Sequence, residues 1–214
     1  MAREFPVTVE SARACYENGG GHGFDHVLRV TALAERIAAA EGADVRVVRT
    51  AALLHDIGES QGRADHHLRG AAQARAILVG QPAAFVAAVA HAIAAHRFRA
   101  DPAPATLEAQ VLSDADKLDA IGAIGVARAY AYAGAHGTAL WKLPWREIAA
   151  GQGDAVRSPD DLGGDYTPVH EFIYKLDRIP DRLYTATARA LAAKRQRFMR
   201  AFFERLDEEA MGKA

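Results

Sequence analysis

The chain has 214 residues, half of them hydrophobic, with 26 basic against 27 acidic side chains and a net charge of -1. That length carries a sizeable core, and the balanced charge excludes the basic surplus that marks non-specific DNA or RNA binding. Single Cys15 excludes an internal disulfide and suits a reducing compartment.

The first fifteen residues lack the apolar core of a signal peptide. Thr8 can cap a short helix to Asn18, which Gly19, Gly20 and Gly21 end. From Phe24 to Glu41 the apolar positions Val27, Val30, Leu33, Ala34 and Ile37 recur at helical spacing and predict one buried face. His26 lies in the first turn of that helix, at the edge of the stripe. Asp44 caps a third helix, VRVVRTAALLHDIG, which ends in adjacent His55 and Asp56. Residues 59–69, with His66 and His67, are polar and read as loop. Helices follow over Leu68 to Val79 and Ala83 to Phe98. The second is the most apolar stretch, but His91 interrupts it and it is too short to span a bilayer.

Thr106 can cap a sixth helix that carries SDADKLDA and continues, with a weak point at Gly122, into GAIGVARAYAYAGAHG. Residues 137–166 hold both tryptophans and several glycines without a period, as a lid or an irregular excursion does. Helices then resume over Val169 to Arg178 and Leu183 to Glu209. No stretch alternates as a strand does, so the expected fold class is all-α. The expected organisation is one domain over 1–214, with a core at 22–136, the excursion at 137–166 and C-terminal helices at 167–210.

An apolar helix that ends in histidine and aspartate is costly unless both groups are paired or bind a metal. His26, His55, Asp56 and Asp114 arrive from three helices as a mixed imidazole and carboxylate set, which suits Mn²⁺, Fe²⁺, Co²⁺ or Zn²⁺. Four protein ligands on a six-coordinate ion leave room for water and a phosphate oxygen. Glu59, about one turn after Asp56, is placed to orient that water or take its proton. Lys117 lies three residues after Asp114 and can offset phosphate charge, or pair with Asp116 or Asp119. Arg29 follows His26 by one turn. His91 and His96 can meet phosphate, a second metal or a buried carbonyl. Lys175 either reaches the site or is a surface lysine, and Arg195, Arg197 and Arg200 read as a solvated face. Trp141 and Trp145 either stack on a base or anchor their loop.

The order His, His-Asp, Asp resembles the HD-domain superfamily of metal-dependent phosphohydrolases. HVLRV, AALLHDIG, VAHAIAAHRF, DADKLDAIGAIGVAR and FIYKL, in that order, are similar to the YedJ/YpgQ-like subgroup. The resemblance implies an all-helical HD fold and one divalent metal at His26, His55, Asp56 and Asp114, with Mn²⁺ first and Zn²⁺, Co²⁺, Fe²⁺ or Mg²⁺ as alternatives. It implies hydrolysis of a nucleoside triphosphate to a monophosphate and pyrophosphate. Glu59 and Lys117 would be catalytic, and Arg29, His96 and Lys175 would bind substrate. Alternatives are a monophosphate or cyclic-nucleotide phosphohydrolase, a nucleotide-sensing module, and a two-iron oxygenase using His91 or His96. The expected setting is cytoplasmic, with a nucleotide as small-molecule partner, no stable nucleic-acid binding, no membrane, and a homodimer as one option. The chain departs from the subgroup at His22-Gly23, where relatives carry His-Asp, and at His170-Glu171-Phe172, where they carry Asp-His-Phe. Some relatives lack an acid at the position of Glu59.

Overall fold

The structure, a computed structural model, describes residues 5–16, 23–62, 64–97, 101–151 and 163–214. Among these the regular elements are all helical, as the spacing predicts. No helix among them is long and apolar enough to cross a membrane. The chain, expected as one domain, clusters into two compact units: 1–117 with 183–188, and 118–182 with 189–214.

In the first unit α1 (Val9–Tyr16), α2 (Phe24–Glu41), α3 (Val45–Leu54), α4 (His66–Ile77) and α5 (Ala83–Ala95) precede α6 (Leu107–Asp119). Helix α2 buries His26, Val27, Val30, Thr31, Ala34, Ile37 and Ala38 against α3. The Asp44 side chain caps α3 by accepting from the amides of Arg46 and Val47. Thr106 caps α6 through the Ala109 amide. A 3-10 turn, Ile57–Gln61, follows α3 and packs on α4. The contact is close: a Cβ on Gly58 would stand 2.2 Å from the His66 carbonyl oxygen and 2.7 Å from the Gly70 amide nitrogen. Only glycine allows the two backbones to approach this way.

Helix α4 begins at His66, two residues before the expected start, so His66 and His67 are buried helical residues rather than loop. Asn18, His22 and Phe98 lie outside the described residues.

The second unit contains α7 (Ala123–His136), α8 (Trp145–Ala150), α9 (Pro168–Tyr174), the 3-10 turn Leu176–Arg182 and most of α10 (Ala186–Ala210). Gly122 breaks the helical path before α7, with a φ of 81° that favours glycine. Residues 137–151 of the expected excursion carry α8, packed on α9. Trp141 Nε1 donates to Asp207 Oδ1 at 2.7 Å, the Trp145 amide donates to Oδ2 at 3.0 Å, and the Trp145 ring meets Phe172 edge-on. Both tryptophans anchor their segment.

Candidate metal centre

Helix α3 stops at Leu54. His55 keeps helical angles, and Asp56 turns out of the helix at φ -105° and ψ 9°. The two neighbouring side chains therefore converge where a continuing helix would hold them about 100° apart. His55 is fully buried. Its Nδ1 lies 2.8 Å from the Ala52 carbonyl, which can only accept, so Nδ1 carries a proton and Nε2 is the nitrogen turned into the cluster. That Nε2 is 3.3 Å from His26 Nε2 and 3.2 Å from Asp56 Oδ2. His26 Nε2 lies 3.7 Å from the same Oδ2 and 3.4 Å from Asp116 Oδ1.

The other oxygen of Asp56 repeats the pattern. Oδ1 is 3.3 Å from His66 Nε2 and 3.5 Å from His96 Nε2, and the two imidazole nitrogens are 3.3 Å apart. His96 Nδ1 is bound to the Ile93 carbonyl at 2.6 Å, so this Nε2 too faces inward with its lone pair. One carboxylate thus stands between two imidazole pairs. The trios His26, His55, Asp56 and Asp56, His66, His96 each bring their ligand atoms within 4.8 Å of one another.

Facing lone pairs repel unless a proton or a cation lies between them. Donor atoms bound about 2.1 Å from one ion are separated by roughly 3.0–3.4 Å, close to the spacings here. The donor set fits a divalent metal. The charges lean the same way. Burial opposes the charged form of His55 most strongly, yet the Asp56 carboxylate outweighs it and lifts this imidazole to about 9. Burial likewise favours a neutral Asp116, but its hydrogen bond to His26 and the charges of His55 and His96 hold the acid at about 2. The cluster attracts positive charge.

The remaining expected residues fall into place around this cluster or away from it. Asp114, expected as a metal ligand, has hydrogen-bond partners on residues 184 and 185. Its side chain is fully buried and accepts from the Tyr184 amide at 2.9 Å, the Thr185 amide at 2.8 Å and Thr185 Oγ1 at 2.8 Å. Burial raises its pKa against the pull of these donors. Residues two apart on a helix point about 200° from each other, and Asp116 is the carboxylate of α6 that reaches His26. His96, expected to bind substrate, is buried beside Asp56 and His66. Glu59 is buried in the 3-10 turn directly after Asp56. Lys117 is buried, with Nζ donating to the Ser113 carbonyl at 3.2 Å and to Ser113 Oγ, 5.6 Å from the centre of the Tyr184 ring. Arg29 pairs with Asp25 at 2.5 Å on the half-exposed side of α2.

Lys175 belongs to the second unit, exposed and paired with Glu171 at 2.7 Å. His91 accepts from the Ala105 amide at 3.2 Å. His170 closes a capping box with Thr167. Arg200 pairs with Asp177 at 3.1 Å, and Arg195 donates to the Leu118 carbonyl. Sequence reasoning missed His66 as a partner of Asp56. The signal that could have found it is the short polar run after the doublet, which returns the chain to the same end of α3.

Residues 23–121 match the HD domain family. The uncharacterized protein YpgQ of Bacillus subtilis (strain 168) is 32% identical over 201 residues, 92% of this chain and 88% of its own length. The crystal structure of YpgQ in complex with ADP superposes with a TM-score of 0.71 at 31% identity, covering 97% of this chain and 100% of that one. An HD-superfamily hydrolase from Bacillus thuringiensis gives a TM-score of 0.70 at 26% identity over 94% of this chain and 93% of that one. Its fold, its histidine-aspartate doublet and this near full-length similarity place the chain in the HD-domain superfamily of metal-dependent phosphohydrolases.

Proposed function

We propose that this hydrolase cleaves nucleoside triphosphates to a monophosphate and pyrophosphate at a divalent ion held by His26, His55, Asp56 and Asp116. The observation that carries the metal reading is the placement of Asp56 Oδ2 beside two inward-facing imidazole nitrogens, at 3.2 and 3.7 Å. The mixed nitrogen and oxygen donors suit borderline and harder divalent ions, and the family resemblance puts Mn²⁺ first among them. The nucleotide reading is supported by the ADP complex of YpgQ and by the balanced charge, which favours a small substrate over a polynucleotide. The lone cysteine supports a cytoplasmic setting.

When bound, the ion polarises a phosphoryl oxygen and acidifies water. The chain supplies the rest. The bond from His55 Nδ1 to the Ala52 carbonyl fixes the ring with Nε2 turned to the ion, and Asp116 offsets charge beside His26. Glu59, three residues after Asp56, takes the proton of the attacking water. Lys117 keeps a cation next to the Asp114 carboxylate, and Arg29 meets the outer phosphates. The second imidazole pair favours a further reading of the same site. Asp56 Oδ1, His66 and His96 would hold a second ion there.

The test is a hydrolysis screen over nucleoside mono-, di- and triphosphates and cyclic nucleotides, with Mn²⁺, Mg²⁺, Co²⁺ and Zn²⁺ supplied separately and each product identified. The expected product from a triphosphate is pyrophosphate. Orthophosphate or a ring-opened nucleotide instead moves the reading to the alternative phosphohydrolases. Asp56→Ala should lose metal and turnover with helix content kept, and full activity in that variant removes the proposal.

A further inference from the structure

The family match begins at Gly23, yet a residue of α1 touches two of the stretches that supply the metal donors. The Tyr16 hydroxyl donates to the Leu53 carbonyl at 3.2 Å and accepts from the Asp56 amide at 3.3 Å. Its ring packs edge-on against Phe24, the first residue of α2, with centroids 5.4 Å apart. Phe24 lies two residues before His26, and the Arg13 guanidinium covers its ring at 4.3 Å. Helix α1 also packs on α3 and on the 3-10 turn that carries Glu59.

The need for this contact follows from how α3 ends. In a continuing helix the Asp56 amide would donate to the Ala52 carbonyl and the Leu53 carbonyl would accept from Ile57. Here the Ala52 carbonyl accepts from His55 Nδ1, and the backbone leaves the helix at Asp56. Stopping a helix leaves carbonyls without intrahelical partners, and such groups need others when buried. One phenol oxygen, as donor and acceptor at once, serves both the Leu53 carbonyl and the Asp56 amide. Burial, together with the nearby Asp56 carboxylate, keeps that phenol in its neutral form.

We propose that Tyr16 is a positioning residue whose hydroxyl fixes the turn between Leu53 and Asp56, and with it the angle at which His55 and Asp56 meet a cation. The inference rests on the metal reading above. Groups that orient a metal ligand through hydrogen bonds are worth about 10–100-fold in metal affinity when removed, and Tyr16 holds the backbone of a ligand in the same way.

The test compares wild type, Tyr16→Phe and Arg13→Gln as full-length metal-free protein titrated with Mn²⁺ in a calorimeter, with visible spectra of the Co²⁺-loaded forms and circular dichroism. Tyr16→Phe keeps the ring against Phe24 and removes only the hydroxyl. It should weaken Mn²⁺ binding about 10–100-fold, shift the Co²⁺ bands and keep its helix content. Arg13→Gln removes the guanidinium over the Phe24 ring, leaves the hydroxyl and its two partners in place, and should bind as wild type does. Unchanged Mn²⁺ affinity and Co²⁺ bands in Tyr16→Phe overturn the positioning role alone. Loss of helix content in that variant assigns the hydroxyl to folding and overturns it too. A wild type that binds no Mn²⁺ removes the metal reading and this inference together.

Discussion

Asp114 and Asp116 stand two residues apart on α6 and serve opposite partners. Asp116 Oδ1 is 3.4 Å from His26 Nε2, in the imidazole cluster. Asp114 accepts from three donors on Tyr184 and Thr185 and so ties residues 183–188 into the first unit.

This division separates the two asparagine variants. Asp114→Asn presents an amide to donors that need an acceptor, at a cost of about 1.5–3 kcal/mol for a charged hydrogen-bond partner. Its melting temperature should fall while Mn²⁺ affinity changes little. Asp116→Asn removes a carboxylate from the cluster itself. It should lose more metal affinity than the ~10–100-fold expected for a supporting hydrogen-bond partner, with the smaller change in melting temperature. Calorimetric melting and Mn²⁺ titration of both proteins check this, and equal losses of affinity contradict it.

The two faces of Asp56 make a statement about stoichiometry. His66→Ala removes a donor beside Oδ1 and leaves His26, His55 and Oδ2 intact. Elemental analysis after dialysis against excess Mn²⁺ should give two ions per chain for wild type and one for His66→Ala. One ion in both proteins would leave the Oδ1 side as a hydrogen-bonded histidine pair.

Much of this was legible in the chain itself. The three- and four-residue spacing of Val27, Val30, Ala34 and Ile37 locates α2, and Asp44 and Thr106 mark where α3 and α6 begin. The doublet at the end of α3 points to the site because burying it demands a partner. The choice between Asp114 and Asp116 was not legible, because α6 is buried on several sides and periodicity does not say which side meets α2. His66 was hidden for another reason. Its neighbours are polar and the helix start at Asp65 takes a positive φ of 53°, so the run reads as loop. Tyr16 acts on backbone atoms forty residues away, and no local pattern encodes that.

Metal and proton compete for the same donors, which sets a pH dependence. In the metal-free protein His55 sits at about 9, above the 6.5 of an exposed imidazole. The folded state therefore binds a proton more tightly than the unfolded chain. The resulting stabilisation is complete below pH 6.5 and is lost as pH rises through 9. Asp116, lowered to about 2 from 3.8, contributes stability above 3.8 that is lost as pH falls through 2. Metal-free protein should melt at a lower temperature at pH 9 than at pH 6.5. Mn²⁺ affinity should rise over the same interval with release of a proton, readable with an indicator dye. A metal-free melting temperature that climbs through this interval contradicts the charge assignment.

The last prediction concerns the close approach that places Glu59 and His66 around Asp56. Gly58→Ala adds a Cβ that would meet the His66 carbonyl oxygen at 2.2 Å and the Gly70 amide nitrogen at 2.7 Å. Both are backbone atoms that cannot swing aside as a side-chain tip would, so the 3-10 turn and α4 must separate. Overpacking of this kind costs about 1–3 kcal/mol. The separation also moves His66 away from Asp56 Oδ1, while the bond between His55 Nδ1 and Ala52, made within α3 and its cap, is left in place. Gly58→Ala should therefore melt earlier and bind less Mn²⁺ on the Oδ1 side, with the His26, His55 and Asp56 trio still loaded. Thermal melting and Mn²⁺ stoichiometry read both effects, and a variant with unchanged stability and metal content would show that the turn has room this packing denies it.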